Sequence, residues 1–225
     1  MERAGWHVPI DSYCERLDAG FWSEPVNAVT NGAFILAALA AGVVWLRAPR
    51  RDWLVAILIA LTFAVGVGSF LFHTVATRWA ALADVLPIAL FIAIYFFFAM
   101  RRYLGLPLWA ALAVTAAFQA LSMAVPGLWR DLTVSWLGYD PLGGSAGYLP
   151  AAAALIGVGM LAWGRRPAVG RTLLGVGGLF LVSLAFRSVD SVVCAAWPLG
   201  THFLWHLANA LVLFLLLRLA LVRSS

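Results

Sequence analysis

Past residue 25 the chain alternates long apolar runs with short polar breaks. The runs cover 26–46, 53–73, 80–100, 106–125, 147–164, 172–193 and 201–221. Each is close to the roughly 20 apolar residues that a helix needs to cross the hydrocarbon core of a bilayer. The pattern therefore predicts an all-α polytopic membrane protein with seven transmembrane helices. Most breaks are short and carry arginine: 47–52, 74–79, 101–105 and 165–171. The longest, 126–147, is rich in Gly and Pro and is expected to be a loop. Its Trp129, Trp136 and Tyr139 suit the bilayer interface. Gly66, Gly68, Gly175, Gly177 and Gly178 fall inside spans, where small residues permit close helix packing. Residues 1–25 read differently. They are polar and hold five of the acids: Glu2, Asp11, Glu15, Asp18 and Glu24. They show neither a basic nor an apolar leader region, so no cleavable signal peptide is expected. Two regions result, an acidic segment over 1–25 and a seven-helix domain over 26–225.

Composition sharpens this. The chain is 64% hydrophobic and 11% charged, with mean hydropathy +0.94. A soluble chain is about half apolar and about a quarter charged, so a soluble domain is excluded. All 15 basic residues are arginine. With no lysine there is no retinal Schiff base. The net charge of +5 lies in short clusters between apolar runs, which fits membrane topology rather than a nucleic-acid partner. One side of the membrane would receive Arg47, Arg50, Arg51, Arg101, Arg102, Arg165, Arg166, Arg171, Arg218 and Arg223. The other would receive Arg3, Arg16, Arg78 and Arg130. This asymmetry predicts a cytoplasmic C-terminus and an extracytoplasmic N-terminus.

Ionisable groups at membrane depth are costly and point to function. Here they are His73, Asp84, Arg187, Asp190, His202 and His206. Following the alternation of the spans, all but Arg187 fall within about two turns of the face that bears the N-terminal segment. His202 and His206 form H-x-x-x-H, which projects two imidazoles from one helical face about 6 Å apart along the axis. His73 from another span gives a third nitrogen. Three protein ligands with a fourth position for water is the arrangement of a catalytic zinc site. Ser69 lies one turn from His73, and Asp84 offers a carboxylate to orient a ligand or to take a proton. Arg187 and Asp190, three residues apart, are expected to pair structurally, and His7 to be solvated. The acids between Asp11 and Glu24, with Tyr13 among them, suit either a hard cation such as calcium or a solvated acidic tail.

Taken together these residues resemble the alkaline ceramidase family, within the CREST superfamily of seven-span hydrolases. The resemblance covers most of the chain. It rests on Ser69-x-x-x-His73, Asp84 followed by Leu86-Pro87, and His202-x-x-x-His206. Further matches are Tyr13-Cys14-Glu15, Glu24-x-x-Asn27-x-x-x-Asn31, and Val189-Asp190 leading to Cys194. The resemblance implies zinc on His73, His202 and His206, a water-contacting role for Asp84, and stabilisation of the substrate oxygen by Ser69. It also implies calcium held by the N-terminal segment, for which Asp11, Tyr13, Glu15, Asp18 and Glu24 are the candidates. The pattern departs from the family at Ser12 and Leu17, where an acid and an Asn are usual.

The activity implied is intramembrane zinc-dependent cleavage of the amide bond of a long-chain lipid. Ceramide, giving sphingoid base and fatty acid, is the substrate the resemblance names. Two other readings stand beside it. One is a seven-span receptor or lipid-binding protein with structural zinc; the other is a transporter using Asp84 and Asp190 as proton relays. Cys14 and Cys194 both fall on the face assigned to the outside, where disulfides persist. They are expected to form a disulfide that pins the acidic segment over the zinc mouth, the alternative being two separate buried thiols.

Overall fold

The computed structural model describes residues 3–224; Glu2 of the acidic segment lies outside the described residues. The protein is all-α. Its helices are α1 (Arg3–Trp6), α2 (Pro25–Thr30), α3 (Gly32–Arg47), α4 (Trp53–Val75), α5 (Arg78–Arg102), α6 (Leu108–Leu137), α7 (Leu149–Trp163), α8 (Pro167–Val193) and α9 (His202–Ser224), with a 3₁₀ turn at Ser145–Tyr148. Among the described residues, seven spans are long and apolar enough to cross a membrane, α2 and α3 together forming the first over Pro25–Arg47. The protein is thus a multi-pass integral membrane protein.

The breaks between spans have local causes. Asp52 caps α4 by accepting the N–H of Leu54. At the other end, Ala76 turns the chain in the left-handed region at φ 44, its N–H on the carbonyl of Phe72. Such a φ is costly for a residue with a Cβ. It is held by the N-terminal segment, whose Ile10 N–H reaches the Ala76 carbonyl at 2.7 Å.

One expectation fails. The break expected at 126–147 is helical as far as Leu137, because Pro126 sits inside α6. A proline removes one backbone donor and crowds one carbonyl, but the residues after it continue the helix. The stop is Gly138, left-handed at φ 77, with its N–H on Val134. The loop then folds back on α6, the Trp129 indole donating to Asp140 at 2.9 Å.

The chain divides into two compact units, Met1–Phe91 with Asp190–Ser225, and Ile92–Val189. In the first, α3 packs on both α4 and α9, and α2 touches both as well. Phe34, Val65 and Ala210 make an apolar cluster there. Gly66 lets α4 close on α3: a Cβ would meet Ile35 and the Asn31 carbonyl. In the second unit α6 packs on α7 and on the 3₁₀ turn. A Cβ at Gly177 would press on Ile156, whereas Gly175 and Gly178 have nothing within 4 Å.

Candidate metal centre

His73 comes from the last turns of α4, and His202 and His206 from the start of α9. One ligand atom from each lies within 4.8 Å of the other two. The rings are 5.1, 4.7 and 4.6 Å apart between centroids. All three residues are buried, with exposures of 0, 2 and 1%. The convergence expected from the sequence is present, and the cluster can hold a metal ion.

The partners of the rings decide which nitrogens face inward. Thr30 donates its hydroxyl to the Val26 and Asn27 carbonyls. A hydroxyl has one proton; with that proton on a carbonyl, Thr30 accepts from His206 Nδ1, 3.0 Å away. In that arrangement the proton sits on Nδ1 and the lone pair on Nε2. The carboxylate of Glu24 does the same for His73, meeting Nδ1 at 2.6 Å. His73 Nε2 is then a buried nitrogen with no hydrogen-bond partner. An orphaned acceptor of this kind costs about 1–3 kcal/mol, and an ion among the three rings would remove that cost. Imidazole nitrogen suits zinc and its neighbours among the divalent transition metals.

Glu24 is the hub of the surrounding network. Arg16 donates from Nε to Oε1 at 2.5 Å, and the Asn27 amide donates to Oε2 at 3.2 Å. Burial pushes the Glu24 carboxyl up, but hydrogen bonds and charge from His73 and Arg16 outweigh it and hold the group below the usual glutamate range. Tyr13 covers the centre, its ring stacked on His202 at 3.6 Å and tilted against His73 at 5.2 Å.

Asp190 fixes the start of α9. Its Oδ1 accepts the N–H groups of Thr201 and His202 at 2.6 and 2.9 Å, and its Oδ2 accepts the Cys14 N–H at 3.1 Å. A carboxylate here also favours the positive end of the helix dipole. Gly200 makes room for it: at φ +66, a Cβ would run into Asp190 and into Cys14 at 2.8 Å. Cys14 and Cys194 form a disulfide, with Cα atoms 5.1 Å apart. The cysteines are therefore bonded, not separate thiols. Arg187 donates to Ser145 and lies over the Tyr148 ring, and His7 is exposed.

Ser69 is buried one turn before His73. Asp84 enters on α5 where it crosses α4: a Cβ at Gly68 would strike the Ala83 carbonyl and lie 3.1 Å from the Asp84 nitrogen.

The calcium set is not brought together. Both oxygens of Glu15 accept backbone N–H groups at the start of α2, from Val26 at 2.7 Å and Asn27 at 2.8 Å. Glu24 is occupied as above, and the Tyr13 carbonyl accepts the Arg16 N–H. Asp11 and Asp18 are exposed, and the Asp18 carboxylate turns to Gly20. Among the described residues, the three histidines are the single group of three metal-ligating side chains in reach of one ion. Sequence reasoning missed Thr30 and Arg16, which orient the centre. Thr30 is one of many hydroxyls in apolar runs. Arg16 looks solvated until the fold carries it to His73.

No protein-family model matches the chain, and no curated protein matches it.

Proposed function

We propose that this protein is an intramembrane zinc-dependent amidohydrolase of the alkaline ceramidase type. The observation that carries the reading is the buried trio His73, His202 and His206, with one nitrogen oriented by Glu24 and another by Thr30. Ser69 lies one turn before His73 on α4, and Asp84 lies on α5 where that helix meets α4 at Gly68.

Zinc at such a site supplies Lewis acidity and a water nucleophile that is active near neutral pH. The chain supplies the rest. Asp84 accepts the proton of the attacking water and passes it to the leaving amine as the C–N bond breaks. Ser69 donates its hydroxyl to the oxygen that gains charge during attack on the carbonyl. Glu24 and Thr30 hold two of the rings so that the ligand nitrogens do not turn away. Lipid-facing helices around the site favour a long-chain amide, and ceramide is the substrate the resemblance suggests. The arginine asymmetry and the Cys14–Cys194 bond support an extracytoplasmic mouth, since disulfides persist outside the cytosol.

The test is product analysis. A panel of ceramides and other N-acyl amines is incubated with the purified wild type and with His206→Ala. Release of fatty acid and amine by the wild type, lost in the variant together with zinc, is the expected result. Equal turnover by a zinc-free His206→Ala preparation would refute the mechanism. Zinc held without turnover of any amide would favour a receptor or lipid-binding protein with a structural ion.

A further inference from the structure

The N-terminal segment, where the resemblance calls for a calcium ion, has an arginine at its centre. Arg16 is buried, at 7% exposure, in a segment whose acids Asp11 and Asp18 are exposed. Its guanidinium reaches three oxygens on three pieces of chain. Nε donates to the Glu24 carboxylate, one terminal nitrogen to the Asp18 carbonyl at 3.1 Å, and the other to the His73 carbonyl at 3.2 Å. Carboxylates and carbonyls gathered from separate stretches are the ligands a hard cation collects. The planar fork of a guanidinium serves the same class of oxygen with fixed directions.

We propose that Arg16 is the resident cation of this segment and the positioning residue of His73, so that the segment is ordered without calcium. Two features of the molecule support the replacement. The remaining oxygens are spoken for: Glu15 by Val26 and Asn27, and the Tyr13 carbonyl by Arg16 itself. Ser12 and Leu17 also stand where the family pattern has an acid and an Asn. A divalent ion added here would meet a buried positive charge at short range, where charges interact far more strongly than in water. Arg16 acts on the metal centre through one intermediate. It neutralises Glu24, and Glu24 holds the Nδ1 proton of His73. Its hydrogen bond to the His73 carbonyl fixes the same residue from the backbone side.

The cation assignment is tested on the wild-type full-length protein in detergent. Elemental analysis is expected to find no retained calcium, and the melting temperature is expected to be the same in millimolar calcium and in a calcium chelator. A calcium ion per chain, or a melting temperature raised by calcium, would overturn it. The positioning role rests on the proposed metal centre and is tested with cobalt(II) in the metal-stripped protein. Arg16→Ala is expected to weaken cobalt binding about 10–100-fold and to move its visible absorption, with Arg16→Lys recovering part of both because charge survives without the fork. Unchanged affinity and spectrum in Arg16→Ala would refute the positioning role. Should Arg16→Ala not fold, Arg16→Lys decides: wild-type affinity and spectrum there refute the need for the fork. A wild type that takes up no cobalt refutes the metal centre instead, while the calcium measurements still decide the cation.

Discussion

The two units of the chain bury different kinds of polar group. In Ile92–Val189 the buried polar residues are Thr133, Ser145, Ser183 and Ser188, all hydroxyls. A hydroxyl inside a helix can satisfy itself on its own backbone, as Thr133 does on the Trp129 carbonyl at 2.9 Å. The other unit buries Glu15, Arg16, Glu24, His73, Asp190, His202 and His206. Buried charge has no local remedy and needs partners from elsewhere in the chain. The difference teaches where specificity lies. One unit buries hydroxyls within apolar helices, and the other holds a network in which buried ionisable groups depend on partners elsewhere in the chain.

The sharpest way to break the contrast is to exchange ligands for hydroxyl positions. His73→Ala or His206→Ala is expected to abolish zinc retention and amide hydrolysis, measured by elemental analysis and product release. Ser183→Ala should leave both at wild-type level. Next in size is the ion network. Glu24→Ala strands Arg16 in a buried site and should destabilise the protein by about 3–5 kcal/mol, against about 1 kcal/mol for Thr133→Ala, both from denaturant titration. Cys194→Ser opens the bond that spans 180 residues and should cost about 2–4 kcal/mol. Non-reducing mass spectrometry of the wild type should show the linked Cys14 and Cys194 peptides.

What the sequence made legible follows the same division. Seven spans were readable because each apolar run is long enough by itself, and no partner is needed to recognise it. The histidine trio was readable because H-x-x-x-H fixes one face of α9, and the alternation of spans sets His73 at the same depth. The acidic segment was not readable. Glu15 and Glu24 look like ion ligands by composition, yet their oxygens are taken by N–H groups and side chains that only the folded chain supplies. Pro126 was read as a helix end, although the stop depends on Gly138 and on the Trp129–Asp140 contact that follows.

Two smaller effects refine the comparison. Gly→Ala should change sign between Gly68 of the first unit and Gly178 of the second. Gly68→Ala collides with the backbone at Ala83 and should destabilise by about 1–3 kcal/mol. Gly178→Ala meets nothing within 4 Å and should stabilise by up to about 1 kcal/mol through helix propensity. The smallest effect concerns Asp140, outside the spans. Burial raises its carboxyl pKa, but the N–H groups of Leu142 and Gly144 and the Trp129 indole outweigh it and hold the group below the usual aspartate range. The stability it adds is therefore complete above its ordinary pKa of 3.8 and disappears as pH falls through the lower folded value. Asp140→Asn should flatten that acid limb slightly in thermal melts and leave zinc binding unaltered.

The meeting of the first spans with the last also fixes an order of events in synthesis. Chains are made and inserted from the N-terminus. Glu24, Arg16 and His73 are in place early, but α9 carries the other two histidines and follows Cys194 directly. A nascent chain has no covalent closure until Cys194 is made, and no full histidine trio until α9 follows it into the bilayer. Any ion held by all three histidines therefore has to wait for α9, whereas oxidation has to wait only for Cys194. Any product truncated before Cys194 carries an unmatched Cys14 and lacks His202 and His206 as well, the kind of exposed defect by which a membrane quality-control protease can recognise it.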